Sequence, residues 1–166
     1  QGQTIRLWQG LQPVGRHFAG HQDLIRSVQF SPDGQRVASG GDDGFIRLWT
    51  LQGQPLGAWT ADEQRIWQVV VHPNGEQLAS AGQDGVVRLW TLDGQMVTSL
   101  AGHLGPVYAV AVSPDGEWLA SAGQDGTIRV WSLQEESRKT IYQVYDAAVN
   151  AIAFSPDGKY LVGGDD

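Results

Sequence analysis

The sequence lacks cysteine altogether, so it has neither a disulfide framework nor a thiolate that could act as a nucleophile or metal ligand. It also lacks a long apolar run: no stretch approaches the roughly 18 residues of a membrane-spanning helix. No signal peptide or lipidation motif is recognisable. These absences predict a soluble protein of a reducing compartment, with no membrane contact, and we expect it in the cytoplasm.

Basic residues are in the minority. The chain has 11 Lys and Arg against 18 Asp and Glu, for a formal net charge of -7. A nucleic-acid footprint or a surface for anionic lipid needs a basic face, so the composition argues against both partners. Hydrophobic residues make up 41% and charged residues 17%, which is typical of a globular domain and not of a disordered chain.

What the chain has in abundance is glycine and tryptophan, with 22 and 7 residues, and both recur in a regular pattern. One tryptophan appears every 41 residues, at Trp8, Trp49, Trp90 and Trp131. The motif SPDG occupies 31–34, 113–116 and 155–158, with HPNG at 72–75 in the remaining register. Such a fixed period indicates one structural unit repeated along the chain.

Each unit has the pattern of four short strands. IRSVQF alternates and ends at an SPDG turn, QRVASG leads to the acidic turn GDDG, FIRLWT follows, and PLGAWT comes after a second Gly-containing turn. No segment shows a helical period. The sequence therefore predicts an all-β protein made of small four-stranded antiparallel sheets.

With the Gly-His pairs at 20–21 and 102–103, these motifs resemble the WD-repeat family, and in particular its near-consensus prokaryotic branch. The resemblance implies a β-propeller built of four-stranded blades, with four blade equivalents of 41 or 42 residues each. One feature departs from the family pattern: Gln9, Thr50, Thr91 and Ser132 follow the four tryptophans, where the family name implies Asp.

The chain is predicted to form one partial propeller domain over 1–166. Its whole repeats are 12–52, 53–93 and 94–134; residues 1–11 close a split blade whose first strands lie in 135–166. Blades of this type suit wheels of about seven or eight, so four span about half a circle. A homodimer closing an eight-bladed ring, a piece of a longer propeller, an excised or engineered fragment that oligomerises, and a strained small wheel all remain open.

The resemblance also implies a buried polar network beneath each acidic turn, in which Trp donates to Ser, Ser to His, and His to Asp. Its members in the first three units are His21, Ser39, Asp43, Trp49, Ser80, Asp84, Trp90, His103, Ser121, Asp125 and Trp131. A Ser-His-Asp catalytic triad is the alternative interpretation. Because the arrangement recurs in step with the fold, we interpret it as structural.

Two units depart from this network. The histidine position is Asp62 in the second unit and Tyr145 in the fourth, where Gly163 also stands at the serine position. We expect these blades to be less rigid, or their loops to be adapted to another role. Drift between repeats is the favoured explanation.

Functionally, the resemblance implies a rigid scaffold that binds other proteins or peptides on the face at the mouth of the central channel. The positions carried over to that face are Arg26, Arg65, Trp67, Tyr108, Asn150, Asp42, Gln83 and Gln124. They differ between units while the scaffold motifs repeat. Arg, Trp and Tyr are frequent interface anchors, so Arg65, Trp67 and Tyr108 form the preferred binding centre.

No cofactor or metal site is expected. The acidic turn at Asp42 and Asp43 lacks the oxygen spacing of a calcium loop, and His17, His21, His72 and His103 lack zinc-ligand spacing. No phosphate-binding glycine loop is present. We therefore predict a non-enzymatic interaction scaffold. The alternatives are a hydrolase-like site at the channel mouth, or a fragment whose activity is assembly.

Overall fold

The computed structural model describes residues 3–135, 139–143 and 146–165 of the chain. Within these residues every regular element is a β-strand, which confirms the predicted all-β fold. The strands are β1 (Gln3–Gln9), β2 (Gln12–His21), β3 (Ile25–Phe30), β4 (Arg36–Gly41), β5 (Phe45–Thr50), β6 (Pro55–Thr60), β7 (Ile66–Val71), β8 (Gln77–Gly82), β9 (Val86–Thr91), β10 (Met96–Ala101), β11 (Val107–Val112), β12 (Trp118–Gly123), β13 (Thr127–Ser132), β14 (Lys139–Gln143), β15 (Val149–Phe154) and β16 (Leu161–Asp165).

The strands form three complete antiparallel sheets of four strands, in the orders β3-β4-β5-β6, β7-β8-β9-β10 and β11-β12-β13-β14. We call these the first, second and third blades. Two further sheets have two strands each, β1-β2 and β15-β16. By the repeat register they correspond to the last two and the first two strands of a blade. The sheets do not close into a ring.

The hairpin between the first two strands of a blade is built by the SPDG motif. In the first blade the Ser31 hydroxyl donates to Asp33 and accepts from the N–H of Arg36, at 2.5 and 2.9 Å. The N–H of Gly34 closes the turn on the Ser31 carbonyl oxygen at 2.9 Å, with a φ of 68° that favours glycine. The same arrangement recurs at Ser113 and Ser155.

The core lies between neighbouring sheets and is built from the second and third strands of each blade. In β4, for example, five of the six residues are buried. One cluster packs Ile46 and Leu48 of the first blade against Ile66, Val69 and Leu78 of the second. Burial of each such side chain contributes about 1.5–3 kcal/mol, so packing between blades is a main source of stability.

The first strands of successive sheets pack against one another, β3 on β7, β7 on β11 and β11 on β15. Polar side chains join them at the same position of the repeat. Ser27 Oγ accepts the N–H of Val69 at 3.1 Å, and Gln68 Oε1 accepts the N–H of Val110 at 2.8 Å. This contact places the starts of the first strands, and hence the predicted binding positions, side by side.

Candidate functional site

The polar network of the first blade joins four side chains from three strands and a turn. The indole N–H of Trp49 donates to Ser39 Oγ at 3.1 Å, and Ser39 Oγ lies 2.7 Å from His21 Nε2. His21 Nδ1 lies 2.9 Å from an Asp43 carboxylate oxygen. An ionised carboxylate only accepts, so Nδ1 carries the proton, and the serine hydroxyl donates to Nε2. Each group thus donates a hydrogen bond to the next, from Trp49 through Ser39 and His21 to Asp43.

The third blade repeats this geometry. Trp131 Nε1 donates to Ser121 Oγ at 2.9 Å, His103 Nε2 lies 2.8 Å from that oxygen, and His103 Nδ1 lies 3.0 Å from Asp125. Thr127 adds a member that the sequence analysis missed, since its hydroxyl donates to Asp125 at 2.7 Å. The network therefore also braces the start of the third strand.

The arginine four residues after the turn aspartate is a second element that the sequence analysis missed. Arg47, Arg88 and Arg129 occupy this position, and each forms an ion pair with the aspartate of its own blade. Its recurrence every 41 residues was a signal available in the sequence. The arginines neutralise the turn carboxylates beside the network.

Burial and hydrogen bonding tune the charges of the network. Burial lowers the pKa of His21 and of His103, and it outweighs the opposing effect of the neighbouring aspartate. Burial alone would raise the pKa of Asp125. The N–H of Leu104, together with His103 and Thr127, holds that pKa well below its usual range. The folded protein thus favours a neutral imidazole beside an ionised carboxylate.

This geometry bears on the catalytic alternative. Ser39 and Ser121 are each 0% exposed, and the oxygen of each accepts a tryptophan N–H. A serine nucleophile must reach its substrate and needs an oxyanion hole beside it. The arrangement instead satisfies buried polar groups that would each cost about 1–3 kcal/mol without partners.

In the second blade the link between the loop and the turn runs in the opposite direction. In the first blade the turn carboxylate of Asp43 accepts the N–H of Gln22, the residue after the histidine, at 3.0 Å. In the second, Asp62 replaces the histidine and its own carboxylate accepts the N–H of Asp84 at 3.0 Å. Asp62 also accepts the N–H of Gln64 at 2.6 Å. Asp62 therefore acts as a clamp: in place of the histidine, its carboxylate holds the loop against the turn.

The substitution nevertheless leaves the second blade with a shorter network. Ser80 Oγ keeps the indole N–H of Trp90 at 2.9 Å, but no histidine takes its hydroxyl proton. A cavity of about 370 Å³ opens beside Asp62, Asp84 and Trp90.

We expect Asp62→His to raise the free energy of unfolding by about 1–2 kcal/mol, because the ring would join Ser80 to Asp84. Urea denaturation followed by circular dichroism measures the change. Asp62→Asn is the matched control, since it keeps the shape of the clamp without supplying a ring. A stability of Asp62→His at or below that of Asp62→Asn would contradict the expectation.

The fourth unit is described only in part. Tyr145, the residue predicted to stand at the histidine position, lies outside the described residues. Gly163 is paired with Ile152, as Ser121 is paired with Val110 in the third blade. Gly163 therefore stands at the serine position. Glycine has no side chain with which to accept a tryptophan N–H, so this position cannot continue the serine step of the network.

The second group of predicted residues lies at the starts of the first strands, around the carboxylate of Asp42. Asp42 accepts two hydrogen bonds from Arg26, Nε to Oδ1 at 2.8 Å and Nη2 to Oδ2 at 2.6 Å. Arg65 of the next blade places its Nε 2.8 Å from the same Oδ1. The Arg26 hydrogen bonds are the main reason that the pKa of Asp42 lies below its usual range. Two cations therefore share one anion.

Trp67 lies at the centre of this group. The Arg65 and Arg26 guanidinium carbons lie 4.8 and 5.2 Å from its ring centroid, which is cation–π distance. Tyr108 of the third blade meets it edge to face, with ring centroids 5.0 Å apart. Its indole N–H donates to Gln83 Oε1 at 3.0 Å. Three blades thus hold the indole in one orientation.

The structure brings seven of the eight predicted positions into this group. Asn150 joins it as an exposed side chain, lining a cavity of about 340 Å³ together with Trp67, Tyr108 and Ala148. Gln124, the eighth, lies against Gly105. We call the seven residues the channel-mouth cluster: Arg26, Asp42, Arg65, Trp67, Gln83, Tyr108 and Asn150.

The described residues lack the features of a metal site and of a membrane-spanning helix. No group of three or more His, Cys, Asp or Glu side chains there is arranged to hold a metal ion. The described part of the chain also contains no helix with the length and apolarity needed to cross a membrane.

Comparison with known proteins identifies partial relatives. A guanine nucleotide-binding protein subunit beta of Zea mays is 37% identical over 65 residues, 37% of this chain and 17% of that protein. The human serine-threonine kinase receptor-associated protein is 49% identical over 43 residues, 25% of this chain and 12% of the relative. The matches span less than a fifth of either relative's length.

The model of one protein family matches the chain four times. The family is described as "WD domain, G-beta repeat", and the matches cover residues 12–50, 53–91, 94–132 and 137–166. Each match holds one turn of the SPDG type, and the first three end close to the repeated tryptophan. Because these matches cover most of the sequence, the chain belongs to the WD-repeat family.

Proposed function

We propose that the chain is a non-catalytic scaffold that binds a protein or peptide at the channel-mouth cluster. The observation that carries this proposal is the fixed position of Trp67, which two arginines and Tyr108 hold beside an open cavity. A pre-organised aromatic side chain flanked by arginines is the usual composition of a binding hot spot. It loses little conformational entropy when a partner covers it.

The comparison between the two groups of residues favours this face over the network. The network histidines and serines are buried and satisfy one another, so they offer a partner no free group. In the cluster, Arg26 and Asn150 are exposed and Trp67 and Tyr108 are half-buried. We therefore assign partner binding to the channel-mouth cluster, and stabilisation of the fold to the buried network.

The test is a display selection of random linear peptides on the chain, followed by binding assays with single variants. We expect Trp67→Ala to weaken the selected peptides by at least about 30-fold, which corresponds to a hot spot of about 2 kcal/mol. Tyr160→Ala is the matched control, because Tyr160 is an exposed aromatic residue beside the turn at Ser155. Selected peptides that bind both variants as they bind the wild type would refute the proposal.

A second candidate function is self-assembly, and an apolar cleft favours it. The cleft has a volume of about 220 Å³ and lies between the β1-β2 sheet and the first blade. Among its lining residues Trp8, Val28 and Phe30 are each about half exposed, at 57%, 46% and 51%. A second sheet placed over this cleft would bury these apolar side chains and pair with the free edge of β1.

We propose that the β15-β16 sheet of a second copy covers this cleft and completes the blade. In the third blade Leu119 is paired with Trp131. The same register would place Leu161 of one copy opposite Trp8 of the other. Two such junctions would close a ring of eight blades, in which each copy supplies one half of each junction.

Light scattering after gel filtration tests this assembly. We expect a mass of twice the 18.0 kDa of one chain. Trp8→Glu should yield the single-chain mass, because a buried unpaired carboxylate at the junction is costly. The control is Leu11→Glu, since Leu11 is 92% exposed and does not line the cleft. A wild-type mass of one chain would exclude the ring.

A further inference from the structure

We propose that the channel-mouth cluster recognises an acidic side chain of a linear peptide, with Arg65 as the residue that binds its carboxylate. This inference rests on the proposed function and names the chemistry of its partner. The carboxylate would lie on the outer side of the Arg65 guanidinium. A neighbouring apolar side chain of the peptide would then lie against Trp67 and Tyr108.

The first argument is the charge balance of the cluster. Arg26 and Arg65 both contact the carboxylate of Asp42, and the structure shows no other carboxylate in contact with either guanidinium among the described residues. Among the groups in direct contact, two positive charges on one negative charge leave a surplus of one. This positive surplus is a local feature of the cluster, whereas the chain as a whole carries a net charge of -7. An anionic group would balance it.

The second argument is the supply of free donors on Arg65. Its Nε lies 2.8 Å from Asp42 Oδ1, and within the described residues neither terminal nitrogen has a hydrogen-bond acceptor. The side chain is 37% exposed. The two terminal nitrogens form the flat end of the guanidinium fork, which matches the two oxygens of a carboxylate. Stacking on Trp67 holds this fork in place before any ligand arrives.

The third argument concerns Gln83, at the turn of the second blade. Its amide oxygen accepts the indole N–H of Trp67 at 3.0 Å, so its amide nitrogen is directed away from that ring as an additional donor. The corresponding position is Asp42 in the first blade and Gln124 in the third. The anionic position of the first blade is thus neutral in the second and third, where an incoming carboxylate meets no carboxylate at this position of the turn.

The cavity beside the cluster accounts for the apolar neighbour. Trp67, Tyr108, Ala148 and Asn150 line a volume of about 340 Å³, enough for one aromatic or branched aliphatic side chain. The two rings meet edge to face and leave aromatic surface open to it. Asn150 can hydrogen-bond the peptide backbone. An acidic residue with an aromatic neighbour fits the whole surface.

Two blocked tripeptides test the inference: acetyl-Phe-Glu-Phe-amide, and its counterpart with Gln in place of Glu. Each is titrated into the wild-type chain while the indole N–H signal of Trp67 is followed by NMR. We expect the Glu peptide to bind about tenfold more tightly than the Gln peptide. Arg65→Gln should abolish that preference, so that the variant binds the Glu and Gln peptides with equal affinity.

Arg36→Gln is the matched control, because it removes the same charge from an exposed position outside the cluster. It should keep the full preference for the Glu peptide. Equal binding of the two peptides, a preference that survives Arg65→Gln, or the absence of any shift at Trp67 would each overturn the inference. Peptides from the display selection that require Trp67 but carry no acidic residue would do the same while leaving the proposed function intact.

Discussion

Replacing His103 with alanine is expected to lower the free energy of unfolding by about 2–4 kcal/mol. The imidazole is buried and contacts Ser121, Asp125 and Thr127, so its loss leaves several polar groups without a partner. It also leaves a cavity the size of the ring. Equilibrium unfolding in urea, followed by tryptophan fluorescence, measures the change.

The two related serines supply a matched control for this prediction. Ser121 has two network partners, Trp131 and His103, whereas Ser80 has only Trp90 within the described residues. Ser121→Ala should therefore be more destabilising than Ser80→Ala, by about 1 kcal/mol. Equal losses for the two variants would show that the histidine step contributes nothing.

The same network predicts how stability depends on pH. The pKa of His103 is lower in the folded chain than its ordinary value of 6.5, because burial disfavours the imidazolium. Below about pH 6.5 the unfolded chain binds protons that the folded chain does not, so stability falls with falling pH. His103→Ala lacks this proton uptake. The stability difference between wild type and variant should therefore shrink as the pH is lowered from about 7 to about 5.

The carboxylates add a second window at lower pH. The pKa values of Asp43 and Asp125 lie below the ordinary value of 3.8 in the folded state, through hydrogen bonds that outweigh the effect of burial. Their contribution is complete above that value and is lost as the pH falls below it. Denaturation curves collected across both windows separate the imidazoles from the carboxylates.

Gly44→Ala should lower the free energy of unfolding by about 3–4 kcal/mol, for reasons of backbone geometry. Gly44 has a φ of 72°, and an added Cβ would lie 2.1 Å from the carbonyl oxygen of Asp62. Its own carbonyl oxygen accepts the N–H of Ala61 at 2.9 Å. The substitution would thus push the turn of the first blade away from the loop that enters the second blade.

Gly34→Ala is the control for this effect. Gly34 has nearly the same φ, 68°, but an added Cβ would meet nothing within 4 Å. It should cost only about 1–2 kcal/mol, the strain of an alanine in the left-handed region. The loop displaced by Gly44→Ala leads to Arg65, so only that variant should also weaken peptide binding. Equal stability losses in the two variants would mean that the contact between blades is unimportant.

The strand boundaries show how much of the fold is local in origin. The predicted strands IRSVQF and PLGAWT coincide with β3 and β6. Alternation of side chains and turn residues with restricted φ values are properties of a few neighbouring residues, so they can be recognised in the sequence. The repeated tryptophan likewise indicated the period of the sheets.

The role of Asp62 shows what local pattern could not supply. In the sequence it stands at the histidine position of the repeat, and drift between repeats was the favoured explanation. In the structure its carboxylate accepts N–H groups from its own loop and from the turn at Asp84. The direction of a hydrogen bond between two loops depends on how the loops approach each other. That approach is set by the packing of whole sheets.

The channel-mouth cluster makes the same division clear. The sequence alone determined the all-β architecture, the repeat and the positions that differ between units, because each depends on periodicity and turn chemistry. Only the tertiary structure decided that Arg26 and Arg65 share Asp42 and enclose Trp67. These residues come from two blades, and their charges meet only because β3 packs against β7.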